Sequence, residues 1–155
     1  MDRAGILVLF DLLLLMIGIK DWKERKIQNR ASMMILMLSV AGAAVMPEIT
    51  LKERILGMLA VSIPMAGLGI LIPGSFGGGD AKLSLACGAF LGAESVVRGT
   101  VSAVFLAGIY SVWLLFRQSK RGDSNRQLQF AFGPFLCVGY LLETWVLWSR
   151  IMENL

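Results

Sequence analysis

The sequence predicts an all-α, polytopic membrane protein with about six transmembrane helices. Hydrophobic residues make up 56% of the 155 residues and charged residues only 17%, whereas soluble domains are about a quarter charged. The charges are bunched between long apolar runs, as expected for helices that cross a bilayer and loops that leave it. We therefore expect residues 1–155 to form a single integral-membrane domain.

The apolar runs that support this prediction cover residues 4–19, 31–46, 55–72, 83–97, 100–116 and 130–148. A spanning helix needs about 17–25 residues, so several runs are short, and flanking Lys and Arg stems would extend them. The first run is interpreted as a retained helix and not a signal peptide, because Asp11 interrupts it and no small-residue cleavage site follows. The run 83–97 is the weakest, since Glu94 lies near its end.

Basic residues predict the orientation of these runs. The loops after the first, third and fifth runs hold most of the 15 Lys and Arg residues. Because basic loops face the cytoplasm, we expect these three loops to be cytoplasmic and both termini to lie outside. If the run 83–97 did not span, the basic loop around residues 117–126 would lie outside, so the same rule favours six spans.

Two aspartates occupy unusual places in this pattern. Asp80 follows Gly77-Gly78-Gly79, after Pro73-Gly74 has ended the third run, and an acid beside a break in membrane-type sequence indicates function by default. Asp21 closes the first run. Two spans separate them, so both lie at one membrane face in either orientation. The glycines could instead form a simple interhelical turn, and Asp21 could merely cap or solvate a helix end.

Other candidate residues are weaker. Asp11 and Glu143 lie within apolar runs without a glycine break, and each could pair with a neighbouring helix or line a substrate path. Cys87 and Cys137 belong to no C-x-x-C pair, so we expect small buried side chains and no zinc site. We expect no cofactor and no metal. The net charge of +4 comes with no basic, aromatic-rich stripe, so no nucleic-acid partner is expected.

Composition also restricts the chemistry. The chain contains no histidine, which excludes Ser–His and Cys–His nucleophile pairs and the H-E-x-x-H zinc site. A pair of carboxylates remains possible. Like-charge repulsion keeps one of them protonated, so one can accept a proton from water while the other donates a proton to the peptide carbonyl. The pair titrates as a unit, so the sequence does not assign the two roles.

Three segments resemble one family. Residues 77–83 read GGGDAKL, residues 21–29 read DWKERKIQN and residues 132–136 read FGPFL. They resemble the G-x-G-D-x-K-L motif, the first-aspartate motif and the last-helix motif of the type IV prepilin peptidases, which are GxGD membrane aspartyl proteases. Gln28 stands where the family's first motif has proline, a change that affects the turn and not the acid.

The resemblance implies an aspartic endopeptidase that cleaves the basic leader of a prepilin or pseudopilin at the cytoplasmic face of the cell membrane. It implies Asp21 and Asp80 as the catalytic pair, with supporting residues at Gly77, Gly79, Lys82, Gly133 and Pro134. Long family members add a cysteine-tetrad segment and N-methylate the product. The sequence lacks that segment, so we expect peptidase activity without methyltransferase activity. The oligomeric state stays open.

A second function is compatible with the same composition. A non-enzymatic membrane transporter or pilus-assembly subunit could also place acids along a polar path between broken helices. Such a protein has no need for Asp21 and Asp80 at one face with these flanking motifs. The paired motif therefore favours the peptidase.

Overall fold

A computed structural model describes residues 3–24, 29–72, 77–119 and 131–153 of the chain. Throughout these ranges the regular structure is helical, which confirms the all-α prediction for the described part of the chain. The described helices are α1 (Arg3–Glu24), α2 (Asn29–Val45), α3 (Leu51–Leu71), α4 (Gly78–Leu91), α5 (Ala93–Ser119) and α6 (Gly133–Glu153).

Several residues used in the sequence argument lie outside the described ranges. They are Gln28, Pro73 and Gly74, together with the basic residues Arg25, Lys26, Lys120, Arg121 and Arg126. The end of the third run at Pro73-Gly74 and the orientation from basic loops therefore stay predictions.

Helix length and composition support membrane insertion for part of the chain. Among the described helices, α3 and residues Ala93–Arg117 of α5 are long and apolar enough to cross a bilayer. α2 is apolar but has 17 residues, which is close to the lower limit for a span. α4 has 14 residues and is about 21 Å long, shorter than a hydrocarbon core of about 30 Å. The count of six spans stays a prediction.

The fourth and fifth apolar runs meet at a different residue from the predicted one. The sequence pattern placed their boundary between residues 97 and 100, but α4 ends at Leu91 and α5 begins at Ala93. Gly92 lies between them with a φ of 83°, a left-handed conformation that glycine adopts without a Cβ clash. An ion pair of 3.1 Å between Glu94 and Arg98, four residues apart, lies on the first turns of α5. The predicted boundary is wrong because the charged residues continue the helix.

α4 is the central helix of the bundle. It packs against α2, α3, α5 and α6, and the Phe90 ring near its end stacks on Phe10 of α1 with 4.0 Å between ring centroids. The surrounding helices cover most of α4, from Asp80 and Leu83 to Leu91. The helix that follows the glycine-rich segment is therefore enclosed by protein.

Paired glycines allow two helix crossings to be very close. Gly57 of α3 packs backbone to backbone against Gly88 of α4, and Gly99 of α5 packs in the same way against Gly139 of α6. A Cβ atom on Gly57, Gly88 or Gly139 would overlap the backbone of the opposing glycine, and one on Gly99 would lie 3.0 Å from the Gly139 carbonyl oxygen. Small residues at crossings are typical of membrane helices, where close van der Waals packing drives association.

A buried arginine closes the end of the bundle at which α2 and α4 terminate. The Arg54 guanidinium donates to the carbonyl oxygens of Ala89 at 2.9 Å, Met46 at 3.3 Å and Gly42 at 3.4 Å. It also reaches Ile49 and Phe90. Carbonyl groups at helix ends lack intrahelical partners and carry negative partial charge, so they suit a cation. Arg54 thus joins α3 to the ends of α2 and α4.

Candidate active site

Asp80 lies in the first turn of α4 and is 8% exposed. The N–H of Gly77, the residue that caps the helix, donates to Asp80 Oδ2 at 3.2 Å. This is one half of a capping box, in which a side chain at the third helical position returns to the cap. Capping alone does not require burial, because exposed caps are stabilising too. The burial of Asp80 therefore needs a further explanation.

Asp21 lies in the last turn of α1 and is 4% exposed. Its carboxylate accepts a hydrogen bond from the backbone amide of Gly133, the first residue of α6. The first amides of a helix have no intrahelical acceptor and favour a negative charge. The start of α6 is thus well suited to hold Asp21 in its ionised form.

The two carboxyl groups are electrostatically coupled, and both lie beyond the ends of the apolar runs. Burial raises the pKa of Asp80, the Gly77 hydrogen bond lowers it and the negative charge of Asp21 raises it, and together they bring it to about 6. Burial also raises the pKa of Asp21, against the lowering effect of the Gly133 hydrogen bond. Two nearby carboxyls with raised pKa values can share a proton, as acid–base catalysis by a carboxyl pair requires.

The predicted supporting residues occupy distinct places around this pair. Gly77 is the cap that donates to Asp80, and Gly79 lies in the first turn of α4. Gly133 donates to Asp21, and Pro134 follows it at the second position of α6, where proline is tolerated because early helical amides lack acceptors. The structure brings these four residues to the same end of the bundle as the two aspartates.

Lys82 has a role that the sequence argument did not define. Its Nζ donates to Asn29 Oδ1 at 3.1 Å, and Asn29 is the first residue of α2. The bond joins the segment that follows Asp21 to the helix that carries Asp80. Asn29 is the last residue of the first-aspartate motif, and a side-chain contact across 53 residues leaves no periodic signal in the sequence.

Cys137 is the second residue whose position the sequence did not predict. It is buried, as expected, but it also lies within electrostatic range of both Asp21 and Asp80. It is four residues after Gly133, so both face the same side of α6. A Cβ placed on Gly18 of α1 would lie 3.3 Å from the Cβ of Cys137, which shows how closely α1 and α6 approach beside the carboxyls.

Asp11 and Glu143, the weaker candidates within the apolar runs, are paired with neighbouring helices. Thr144 Oγ1 of α6 donates to Asp11 Oδ1 of α1 at 2.7 Å. Glu143 Oε2 lies 3.4 Å from Arg98 Nε of α5. Both contacts correspond to the interhelical pairing considered for these acids. Over the described ranges, no group of three or more Cys, Asp and Glu side chains is placed to hold a metal ion.

Comparison with known proteins identifies the family of the chain. A model of the type IV leader peptidase family matches residues 8–112, about two thirds of the chain, a stretch that includes both aspartates and Lys82 but not Gly133 or Pro134. No curated protein matches the chain, and no solved structure matches it. The extent of the family match means that the chain belongs to the type IV leader peptidase family, a family of membrane proteases.

Proposed function

We propose that this protein is an aspartic endopeptidase that removes the leader peptide from prepilin-like proteins, with Asp21 and Asp80 as its catalytic pair. The family supports a leader peptidase in general. The observation that carries the two-aspartate mechanism is the coupling of two buried carboxyls at one end of the bundle. In a chain without histidine, such a pair is well suited to activate water.

The proposed reaction uses the shared proton of the pair. The ionised carboxylate accepts a proton from a water molecule, whose oxygen attacks the scissile carbonyl carbon. The protonated carboxyl donates its proton to the carbonyl oxygen. Collapse of the tetrahedral intermediate breaks the C–N bond as the amine takes up the proton that the first carboxylate accepted from water, and a hydroxyl of the intermediate returns a proton to the second carboxylate. The raised pKa of Asp80 suits it to be the donor, whereas the Gly133 amide on Asp21 suits that carboxylate to be the base.

The proposed setting is the cytoplasmic membrane, with six spans, one integral-membrane domain and both termini outside. Asp21 at the end of α1 and Asp80 at the start of α4 would then lie at the cytoplasmic face, where the basic leader of a prepilin is accessible. A reporter fused after Arg121 should be cytoplasmic, and an external position would contradict the six-span arrangement.

The proposal is for peptidase activity without N-methyltransferase activity. The two cysteines of the sequence, Cys87 and Cys137, are both buried in helices of the bundle. They do not provide the cysteine tetrad that accompanies methyltransferase activity in long relatives. Methylation of the cleaved product can be checked by mass spectrometry of its new N-terminus.

Cleavage of a co-expressed prepilin tests the proposed function. Wild-type protein should convert the prepilin to its shorter form, and Asp21→Asn and Asp80→Asn should each abolish conversion. Asp11→Asn is the matched control, because Asp11 lies on the same helix as Asp21 and an asparagine oxygen can still accept the Thr144 hydrogen bond. The control should retain cleavage.

The same experiment separates the peptidase from a transporter or assembly subunit with acids along a polar path. In that alternative, the wild-type protein does not convert prepilin, and Asp11→Asn impairs transport or pilus assembly as much as Asp21→Asn does. Processing at the wild-type rate by either catalytic-site variant would also reject the proposed mechanism.

A further inference from the structure

One face of α6 carries residues that lie close to both aspartates. Gly133, Cys137 and Tyr140 follow one another at intervals of four and three residues, so they point to the same side of the helix. Gly133 binds Asp21 through its amide, and Cys137 lies within electrostatic range of both carboxyls. Tyr140, the third of these residues, reaches α4.

The Tyr140 hydroxyl joins two further helices inside the bundle. Tyr140 is 0% exposed, and its hydroxyl donates to Ser84 Oγ of α4 at 2.8 Å and lies 3.1 Å from Thr100 Oγ1 of α5. Ser84 is also 0% exposed, and its hydroxyl lies 3.4 Å from the sulfur of Met65 on α3. A buried polar group left without its partner is costly, so this network favours one arrangement of the helices.

The network bears directly on the orientation of Asp80. Ser84 is four residues after Asp80, so the two side chains lie on the same face of α4, one turn apart. A rotation of α4 that moved Asp80 away from Asp21 would also break the bond between Ser84 and Tyr140.

The Tyr140 ring has little room to follow such a rotation. A Cβ placed on Gly99 would lie only 2.8 Å from Tyr140 Cδ1, and the neighbouring Gly139 backbone packs directly on Gly99. The close crossing of α5 and α6 therefore restricts movement of the Tyr140 ring, and this fixes the position of its hydroxyl.

We propose that Tyr140 is a positioning residue: through Ser84 it fixes the rotation of α4 and so keeps Asp80 beside Asp21, which Gly133 holds from the same face of α6. The inference rests on the proposed function and deepens it. Tyr140 acts through Ser84 and not on the substrate. α6 thereby sets the separation of two carboxyls that belong to different helices.

Tyr140→Phe tests this proposal because it removes the hydroxyl and keeps the ring. We expect kcat for prepilin cleavage to fall about tenfold, as for a small displacement of a reacting group, and KM to change by less than about twofold. The falling limb of the pH–rate profile should move to lower pH, because the charge of Asp21 acts less on a more distant Asp80. Among the described residues, the titratable groups that act on Tyr140 are the Cys87 and Cys137 thiols. Tyr140→Phe and Ser84→Ala both retain these thiols.

Ser84→Ala should cause the same changes in kcat and pH profile. The double variant should have no lower kcat than either single variant, since both remove the bond between Tyr140 and Ser84. Ser111→Ala is the control, because the Ser111 hydroxyl bonds only to the Ala107 carbonyl within α5 among the described residues. Thermal unfolding checks that each variant is folded. If Tyr140→Phe does not fold, Ser84→Ala carries the test.

Wild-type kcat and an unchanged pH profile in Ser84→Ala or in folded Tyr140→Phe would overturn the inference. An equal loss of activity in Ser111→Ala would overturn it as well, since that loss would not depend on the α4–α6 bond. No cleavage by the wild-type protein would overturn the proposed function and this inference with it. Wild-type cleavage with unchanged variants overturns the inference alone.

Discussion

The backbone amide of Gly133 donates a hydrogen bond to the carboxylate of Asp21, so the last helix of the chain holds the end of the first. Asp80 enters the same place from the start of α4, where Gly77 holds its carboxyl. Each aspartate thus accepts a hydrogen bond from a backbone amide at the start of a helix, which favours its ionised form, whereas burial disfavours the ionised form of both. This balance is the physical basis of the first two predictions.

Replacing Asp21 should make Asp80 easier to ionise. Burial and the charge of Asp21 both raise the pKa of Asp80, which is about 6 in the wild-type protein. In Asp21→Asn the charge is absent and burial remains, so the pKa should fall below 6 but stay above its ordinary value of 3.8. Infrared titration of the carboxyl C=O band would measure this. An Asp80 pKa that stays at 6 in the variant would show that the two carboxyls do not interact.

The stability of the protein should depend on the ionisation of Asp80 in a defined pH window. Because the pKa is raised on folding, the folded state binds more protons, and stability falls as pH rises from about 4 to about 6. The change from 3.8 to about 6 corresponds to about 3 kcal/mol above this window. Asp80→Asn removes the penalty, and its amide oxygen can still accept the Gly77 hydrogen bond.

Thermal unfolding of detergent-solubilised protein would therefore show Asp80→Asn to be more stable than wild type at pH 7 but not at pH 4. Glu24→Gln, at an exposed acid in the same turn of α1 as Asp21, is the control and should show no such pH-dependent gain. A constant stability difference between Asp80→Asn and wild type across this range would contradict the prediction.

Asp80 was predictable from the sequence because a costly acid beside a glycine-rich break is a local pattern. Its partner was predictable because the number of intervening apolar runs predicts the same face for Asp21, and the structure brings the two carboxyls to one end of the bundle. The family resemblance implied Gly133 as a supporting residue, but its contact with Asp21 was not predictable, and neither were Asn29 and Cys137 as parts of the site, because these contacts cross between helices far apart in the sequence. The boundary at Gly92 was missed because hydropathy marks Arg98 as a break, whereas the backbone turns at the glycine.

The close crossing of α3 and α4 should not tolerate a methyl group. A Cβ on Gly88 would overlap the Gly57 backbone, and overpacking of this kind costs about 1–3 kcal/mol or more. Gly88→Ala should therefore lower the free energy of unfolding and displace α4. Gly108→Ala on α5 is a matched control with nothing within 4 Å of the added Cβ, and it should be neutral or up to about 1 kcal/mol stabilising, since alanine favours helix. Equal stability of the two variants would show that the crossing is not tightly packed.

Arg54 of α3 should be among the residues most important for stability, although it contacts the end of α4 opposite Asp80. Its guanidinium binds carbonyl oxygens at the ends of both α2 and α4, including Ala89 and Met46. Arg54→Met leaves these buried carbonyls without their donor, and each orphaned group costs about 1–3 kcal/mol. Arg54→Lys should recover only part of the loss, because an ammonium group cannot reproduce the spread of the guanidinium donors.

Lys52→Met is the control for this prediction, since Lys52 is an exposed cation in the same first turn of α3. Thermal unfolding should rank the proteins as wild type and Lys52→Met first, then Arg54→Lys, then Arg54→Met. The Arg54 bonds hold the end of α4 opposite Asp80, so their loss should disturb the active site only indirectly. The folded fraction of Arg54→Lys should therefore keep partial activity. Full wild-type stability of Arg54→Met would mean that water replaces the guanidinium and that this end of the bundle is open to solvent.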